Sequence, residues 1–319
     1  MDILTQIFIR PFVDMVEMPA FLLQTLWEGL VSGVLYALIA LGFVLIYKSS
    51  RIFNFAQGIM VVFAALALVG LHEAGLPPYV ALVATLGVMF LLALTVERVV
   101  LRPLVGQPDI ILFMATIGLT YLLIGLGEFI FGGENKVMIT EELGIPTGST
   151  VFEVARDIVI IQHLDLTAVG IAVALVVGLT LFLNLTAMGR ALRALADDHT
   201  AALSVGISLS TIWRLVWFIA GIIALATGVI WGAKAGVSFA LEVIAYKALP
   251  VLMLGGLTSV PGAIIGGLLI GVTEKVFELY WGQPLLGGNT ETWWAFILAL
   301  VFLLFRPQGL FGEKIIERV

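Results

Sequence analysis

Three stretches of this 319-residue chain carry residue types from which a binding site can be built. The first is Arg51-Ile-Phe-Asn-Phe-Ala-Gln-Gly58, where Asn54, Gln57 and Gly58 stand among aromatics between two apolar runs. Free backbone N–H groups at a helix start and two side-chain amides suit the holding of a small polar solute at membrane depth. Such irregular backbone is tolerated only against protein or a water-filled path. The competing reading is that Asn54 merely caps the following helix. The second stretch is Gly255-Gly-Leu-Thr-Ser-Val-Pro-Gly262, whose glycines and proline interrupt a helix. Thr258 and Ser259 suit it to a pathway or gating role, although a plain helix hairpin would need neither. The third is Met188-Gly-Arg-Ala-Leu-Arg-Ala-Leu-Ala-Asp-Asp-His-Thr-Ala-Ala-Leu-Ser-Val-Gly206, alanine-rich and ended by a helix-stopping glycine. It reads as a short helix outside the bilayer carrying Arg190, Arg193, Asp197 and Asp198. Arg193 and Asp197 are spaced to pair, and the small Ala201 and Ala202, before Gly206, leave a slim face that fits a partner's groove. A solvated connecting helix is the competing reading.

Bond-making chemistry has no comparable foothold. The chain has no cysteine, which removes disulfides and thiolate metal sites. His72, His163 and His199 fall in polar connections far apart in sequence, a poor basis for a metal centre. Glu28, Glu97, Glu128, Glu242, Glu274 and Glu278, in or near apolar runs, are scattered, and no serine stands in a nucleophile-elbow pattern with a histidine partner. The phosphate-cradling run G-x-x-x-x-G-K-[ST] is missing, as is any Gly-Lys dipeptide. The chain reads as a transport element rather than an enzyme, with no cofactor of its own. Any ATP-driven work must come from another polypeptide that holds the ATP and magnesium.

The elements that must position these stretches follow from hydropathy. Hydrophobic residues make up 61% of the chain and charged ones 12%, a balance that a soluble domain could not keep without exposing apolar patches. A helical span needs about 20 apolar residues. Runs of that kind lie at 22–46, 56–71, 78–101, 109–131, 166–187, 213–233, 243–257, 260–281 and 292–306. The run at 243–257 is short enough to be a half-span or re-entrant piece, and 56–71 follows Arg51–Asn54 so closely that its helix is expected to start inside the membrane. The expected fold is all-α and polytopic, with eight or nine transmembrane segments, some broken or re-entrant. Residues 1–20 lack the pattern of a signal peptide and read as an amphipathic segment on the membrane surface. Residues 21–306 form the transmembrane domain and 307–319 a cytoplasmic tail.

Basic residues are retained on the cytoplasmic side. Lys48 and Arg51, then Arg98 and Arg102, then Arg190, Arg193 and Arg214, and finally Arg306, Lys314 and Arg318 fall at alternate connections, so those connections, including the loop 188–214, are cytoplasmic. The acidic connection 132–165 then lies outside, as does the N-terminus, while the C-terminus lies inside. Within the spans, Gly29, Gly33, Gly42, Gly221, Gly228, Gly262, Gly266, Gly267 and Gly271 recur at helical spacings that let backbones approach closely.

Two resemblances add to this reading. The loop 188–214 resembles the cytoplasmic coupling segment of ATP-binding-cassette importer permeases, Glu-Ala-Ala, three residues, then Gly. Ala201-Ala202 and Gly206 match, Thr200 stands where an acidic residue is usual, and the familiar apolar-proline ending is absent at Val216 to Ile219. The whole chain resembles the branched-chain amino acid permease family of the LivH/LivM type. The resemblance is carried by Gly33-Val-Leu-Tyr-Ala-Leu-Ile-Ala-Leu-Gly42, Asn54-Phe-Ala-Gln-Gly58, Gly189-Arg-Ala-Leu-Arg-Ala-Leu-Ala196, Val205-Gly-Ile207, Leu254-Gly-Gly-Leu-Thr-Ser-Val-Pro-Gly-Ala-Ile-Ile-Gly-Gly267 and Phe305-Arg-Pro-Gln-Gly-Leu-Phe311. Length and the N-F-A-x-G patch are closer to the H-type subunit, and the family commonly has His where Gln57 stands.

The resemblance implies an importer of branched-chain or other small amino acids in the bacterial cytoplasmic membrane. It would contain a second homologous permease subunit, in a hetero- or homodimer, two ATP-binding subunits and a soluble periplasmic solute-binding protein, and no nucleic acid. Asn54, Gln57, Gly58, Thr258 and Ser259 would line the translocation path. Arg190, Arg193, Asp197, Asp198, Ala201, Ala202 and Gly206 would couple to the ATPase. Urea and short amides form the alternative solute class, since Asn54, Gln57, Thr258 and Ser259 suit either. A stand-alone channel or ion-coupled transporter would instead show charges buried mid-span, whereas the acidic residues here read mostly as lying near span ends.

Overall fold

The computed structural model describes residues 3–154, 157–197, 202, 204 and 206–312. Of the residues assigned above to ATPase coupling, Asp198 and Ala201 lie outside the described residues, together with Thr200 and His199, and the Asp197 side chain is likewise not described. The chain is built from helices α1 (Ile3–Phe8), α2 (Arg10–Glu17), α3 (Pro19–Ser50), α4 (Gln57–Glu73), α5 (Pro78–Thr95), α6 (Asp109–Phe131), α7 (His163–Leu185), α8 (Ala187–Asp197), α9 (Leu209–Ala235), α10 (Leu241–Tyr246), α11 (Ala248–Gly255), α12 (Val260–Phe277) and α13 (Trp294–Phe305). π-helical turns at Val96–Leu101 and Glu278–Leu286 prolong α5 and α12.

Every apolar run read from the sequence is helical. Six helical stretches are long and apolar enough to cross a membrane, namely Pro19–Ser50, Pro78–Leu104, Ile110–Phe131, His163–Leu185, Leu209–Ala235 and Val260–Leu286, with α4 and α13 as shorter apolar helices. The run at 243–257 is broken into α10 and α11, six and eight residues long, with Lys247 between them. The chain is thus an all-α, multi-pass membrane protein with broken helices, and any crossings beyond six rest on these shorter pieces.

The connection 132–165 holds the only two-stranded sheet among the described residues, beside a single bridge from Lys136 to Val237. Ser149–Val154 (β1) pairs antiparallel with Asp157–Gln162 (β2), Val154 opposite Asp157 and Ser149 opposite Gln162. Its cause is local: Thr150, Val151, Val154, Ile158, Val159, Ile160 and Ile161 are β-branched, and such side chains fit a pleated surface better than a helix.

Residue contacts divide the chain into two units, Met1–Ala40 with Pro146–Gly170 and Lys247–Val319, and Leu41–Ile145 with Ile171–Tyr246. In the first unit the first two-thirds of α3 crosses α12 with backbones nearly touching. A Cβ placed on Gly33 would lie 2.6 Å from the Gly267 carbonyl oxygen, and one on Gly29 would lie 2.7 Å from Val272 Cα. Small residues are what membrane helices use to pack this closely, because no hydrophobic effect drives them together in lipid. In the second unit α4 is the centre. Every residue from Gln57 to Val69 is buried, against α5, α6, α9 and α10, so this helix is apolar all round rather than amphipathic.

Candidate functional site

The corner between α3 and α4 forms because α3 has a definite end. The Ser49 and Ser50 hydroxyls donate to the Ile46 carbonyl at 2.9 and 2.7 Å, and Arg51 N–H closes the last turn on Tyr47 O at 2.8 Å. Arg51 then adopts φ +57°, a left-handed conformation that costs a non-glycine residue about 1–3 kcal/mol and persists only when its surroundings fix it. The chain past it is held throughout. Ile52 N–H donates to Ser50 Oγ, the Thr116 hydroxyl of α6 accepts from Phe55 N–H at 3.3 Å, and it has the Phe53 carbonyl in donating range at 3.1 Å. Phe43, Phe53, Phe55 and Phe113 form a continuous ring contact with centroids 4.9–5.2 Å apart.

Asn54 is buried and turned onto its own corner, its Oδ1 accepting Ala56 N–H at 3.1 Å. Gln57 opens α4 fully buried, with its amide packed on Gly42, where any Cβ would collide with it. Its Nε2 reaches the Ala220 carbonyl of α9 only at 3.4 Å, and its Oε1 has no hydrogen-bond partner among the described residues. A Cβ on Gly58 would meet Ala245 of α10 at 3.2 Å, so this position is close to van der Waals limits. Asn54, Gln57 and Gly58 therefore come together, inside protein, with one buried amide oxygen unused.

Thr258 and Ser259 stand elsewhere, in the first unit. Gly256 takes φ +102° at the end of α11, and Ser259 Oγ accepts Gly262 N–H at 3.0 Å to cap α12. The C-terminal segment covers this turn, Leu310 N–H donating to Leu254 O at 2.7 Å and Phe311 N–H to Gly255 O at 3.2 Å. The Ser259 hydroxyl thus serves as the acceptor of a helix cap, with its own proton still available to donate.

In the 188–206 stretch, α8 buries Gly189, Leu192, Leu195 and Ala196 and exposes Ala187, Arg190 and Ala194. Its arginines face back along the chain. Arg193 Nη1 donates to Leu183 O and Asn184 Oδ1, both at 2.7 Å, and Arg190 Nη1 to Leu185 O at 3.2 Å. They satisfy the last carbonyls of α7, where cations are favoured. Ala202 is 2% exposed, so its methyl faces this chain, and Gly206 takes the left-handed φ +85°.

Two charged contacts were not legible from spacing. Glu274, midway along Val260–Leu286 and fully buried, lies 2.6 Å from Lys247 Nζ and accepts from Tyr36 OH at 3.1 Å. Glu97, 4% exposed in the π turn after α5, has Arg214 Nε of α9 at 3.8 Å. Glu274 is thus an exception to the reading that the acidic residues lie mostly near span ends. Its partner is 27 residues away beyond a helix break, so no fixed period pairs them. Within residues 132–145, Lys136 pairs with Glu73, and His72 Nε2 lies 2.6 Å from Glu142 Oε2. Among the described residues no group of three His, Cys, Asp or Glu is arranged to hold a metal ion.

Comparison with known proteins gives these features a context. The family described as branched-chain amino acid transport system / permease component matches residues 25–305. BraD of Pseudomonas aeruginosa, a high-affinity branched-chain amino acid transport system permease protein, is 32% identical over 93% of this chain and 98% of its own length. LivH of Salmonella typhimurium, of the same description, is 28% identical over 96% of this chain and the whole of its own. A probable LivH of Methanocaldococcus jannaschii is 27% identical over 87% of this chain and 89% of its own. Among solved structures, a chain of PsaBC from Streptococcus pneumoniae in complex with Fab superposes with a TM-score of 0.50 at 16% identity, covering 93% of this chain and 96% of that one, a likeness of fold alone. With most of its length matched by the family and nearly all of BraD and LivH aligned to it, the chain belongs to the family of branched-chain amino acid transport system permease components.

Proposed function

We propose that this chain is the membrane-spanning permease subunit of an ATP-binding-cassette importer for branched-chain amino acids, supplying half of the translocation path. The supporting observation is the end-to-end similarity to BraD and LivH, whose names assign them that transport. The solute meets the corner at Asn54, Gln57 and Gly58. The unused Gln57 Oε1 is an acceptor for an ammonium N–H, and at the start of α4, where Gln57 N–H already donates to Asn54 O and Met60 N–H to Ala56 O, the positive end of the helix dipole favours the solute carboxylate. Gln57 is sealed in protein here, so access requires the surrounding helices to part, and glycine-lined contacts allow that motion.

Energy comes from two separate ATPase subunits that meet the exposed face of α8 on the cytoplasmic side. A second permease subunit, a further copy or a homologue, completes the path, and a soluble solute-binding protein docks on the outer connection. The arginine and lysine distribution supports an external N-terminus, an internal C-terminus and residence in the bacterial cytoplasmic membrane.

The test is uptake of radiolabelled leucine by proteoliposomes holding the permease pair, the ATPase subunits and the binding protein. ATP-dependent leucine uptake that excess urea does not inhibit is expected. Uptake of urea in place of leucine would move the solute class to amides, and uptake that persists without the ATPase subunits would overturn the importer assignment.

A further inference from the structure

We propose that Arg51 is a positioning residue that transmits movement of α8 to the solute-facing corner at Asn54 and Gln57. The inference rests on the reading of α8 as the ATPase contact. Arg51 Nη2 donates to the Ala196 carbonyl, in the last turn of α8, at 3.0 Å. The two residues are 145 positions apart, so the bond ties a helix outside the apolar runs to the end of a membrane helix. A second bond reaches the same turn of α3 from the other side of the connection. Trp213 Nε1, in the first turns of α9, donates to the Ser49 carbonyl at 3.3 Å. The chain thus grips Ser49–Arg51 from both α8 and α9, immediately before and after the stretch between those helices.

From Arg51 onward there is little slack to absorb a displacement. Its left-handed backbone fixes the direction in which Ile52 and Phe53 leave α3. Thr116 then holds Phe53 and Phe55, and the Asn54 side chain holds Ala56, one residue before Gln57. A shift of Ala196 relative to α3 has two outlets. It breaks the guanidinium bond, or it turns the corner that carries Asn54 and Gln57. Side chains of α4 are sealed, whereas the weak Gln57 bond to Ala220 at 3.4 Å is easily given up, so the corner can turn by releasing that contact.

An arginine bonded to a helix end also has an ordinary structural use, since cations favour a helix C-terminus. The two roles differ in what they do to coupling. In the reconstituted full transporter, Arg51→Gln should leave the amount of co-purified ATPase subunit unchanged. It should cut leucine molecules carried per ATP hydrolysed at least ten-fold, because hydrolysis continues while the corner no longer follows. Arg51→Lys should recover part of that ratio, and Arg51→Gly, which relaxes the backbone but has no guanidinium, should not. An unchanged ratio in both Arg51→Gln and Arg51→Gly overturns the proposal.

The reading of α8 is tested separately by Arg190→Glu with Ala194→Glu on its exposed face. Full retention of ATPase subunits by that variant overturns the α8 assignment, whatever Arg51 does. Because the chain has no cysteine, Ser50→Cys supplies a single thiol beside the relay. Its maleimide reactivity should differ between nucleotide-free and vanadate-trapped transporter, and the difference should vanish when Arg51→Gln is added. A difference that survives Arg51→Gln overturns the relay even if that variant is poorly expressed for transport assays.

Discussion

In the first unit a lysine, a glutamate and a tyrosine meet where α11 begins, and in the second an asparagine, a glutamine and a threonine meet where α4 begins. Both clusters sit at interrupted helices, and both are withdrawn from solvent. Lys247 and Glu274 carry opposite charges at 2.6 Å with Tyr36 OH as a further donor. Gln57 has one long hydrogen bond and an unused oxygen, and Asn54 bonds its own turn. Separating the ion pair would leave a bare charge in a low-dielectric interior, which is far more costly than giving up a bond between neutral groups. The difference in energy separates the two: the charged cluster is a joint that keeps α3, α11 and α12 together, whereas the neutral corner can give up its contacts at low cost, as the proposed solute path requires.

The largest expected effect attacks the joint. Glu274→Ala leaves Lys247 without its carboxylate and should destabilise the detergent-solubilised protein by about 3–5 kcal/mol, read as a shift in chemical unfolding. Replacing both partners by apolar residues of similar size, Lys247→Met with Glu274→Leu, should recover most of that loss. A single variant that loses less than about 1 kcal/mol would remove the contrast with the neutral corner.

Next in size is a steric test of the same joint. Gly33 lies one turn before Tyr36 and Gly271 one turn before Glu274, so the α3–α12 crossing is what brings hydroxyl and carboxylate together. Gly33→Leu must push two backbones apart and should cost about 1–3 kcal/mol. Combined with Glu274→Ala it should cost less than the sum of the two, since the bond is already gone. Strict additivity would mean that the glycines and the ion pair act independently.

How far each region was legible follows from range. The helices were, because apolar runs of span length announce themselves, and so was the shortness of 243–257, but its division at Lys247 into helices of six and eight residues was not. The glycine crossings were legible as close packing but not as the means of aligning Tyr36 with Glu274, which needs the helix partners to be known. The β1–β2 hairpin was not legible, because its β-branched residues lie in an acidic connection whose charge pattern reads as a loop. At α8 the alanine-rich helix was foreseeable. The targets of Arg190 and Arg193 were not, because an arginine can reach the preceding helix end as readily as an acid one turn on. The Arg51 contact with Ala196 spans 145 positions, and no local pattern points across such a distance.

A smaller effect is expected in the neutral corner. Thr116→Val removes the hydroxyl that holds the Phe53–Phe55 backbone while keeping the side-chain shape, and should cost about 1 kcal/mol, the net value of such bonds. Thr116→Ser should restore it. Stability measured beside leucine uptake separates the corner's two duties. Uptake should fall further than this small loss of folded protein allows, if the corner must hold its shape to receive solute.

The smallest stability change should come from Gln57→Leu, and this is where the contrast between the units is sharpest. The glutamine contributes one 3.4 Å bond and leaves Oε1 without a partner among the described residues, so an apolar side chain of similar length removes an unsatisfied acceptor along with a weak donor. The two changes offset, and the stability should move by no more than about 1 kcal/mol in either direction. If the solute path runs as proposed, leucine uptake should nevertheless fall at least ten-fold, because the acceptor that folding leaves unused would be the one offered to the solute's ammonium group. Gln57→His, which keeps a hydrogen-bonding atom near the same place, should lose less. A Gln57→Leu protein that is markedly destabilised would show that the amide is structural, which would make the corner a second joint and leave the solute's contact to be sought on other residues of the path.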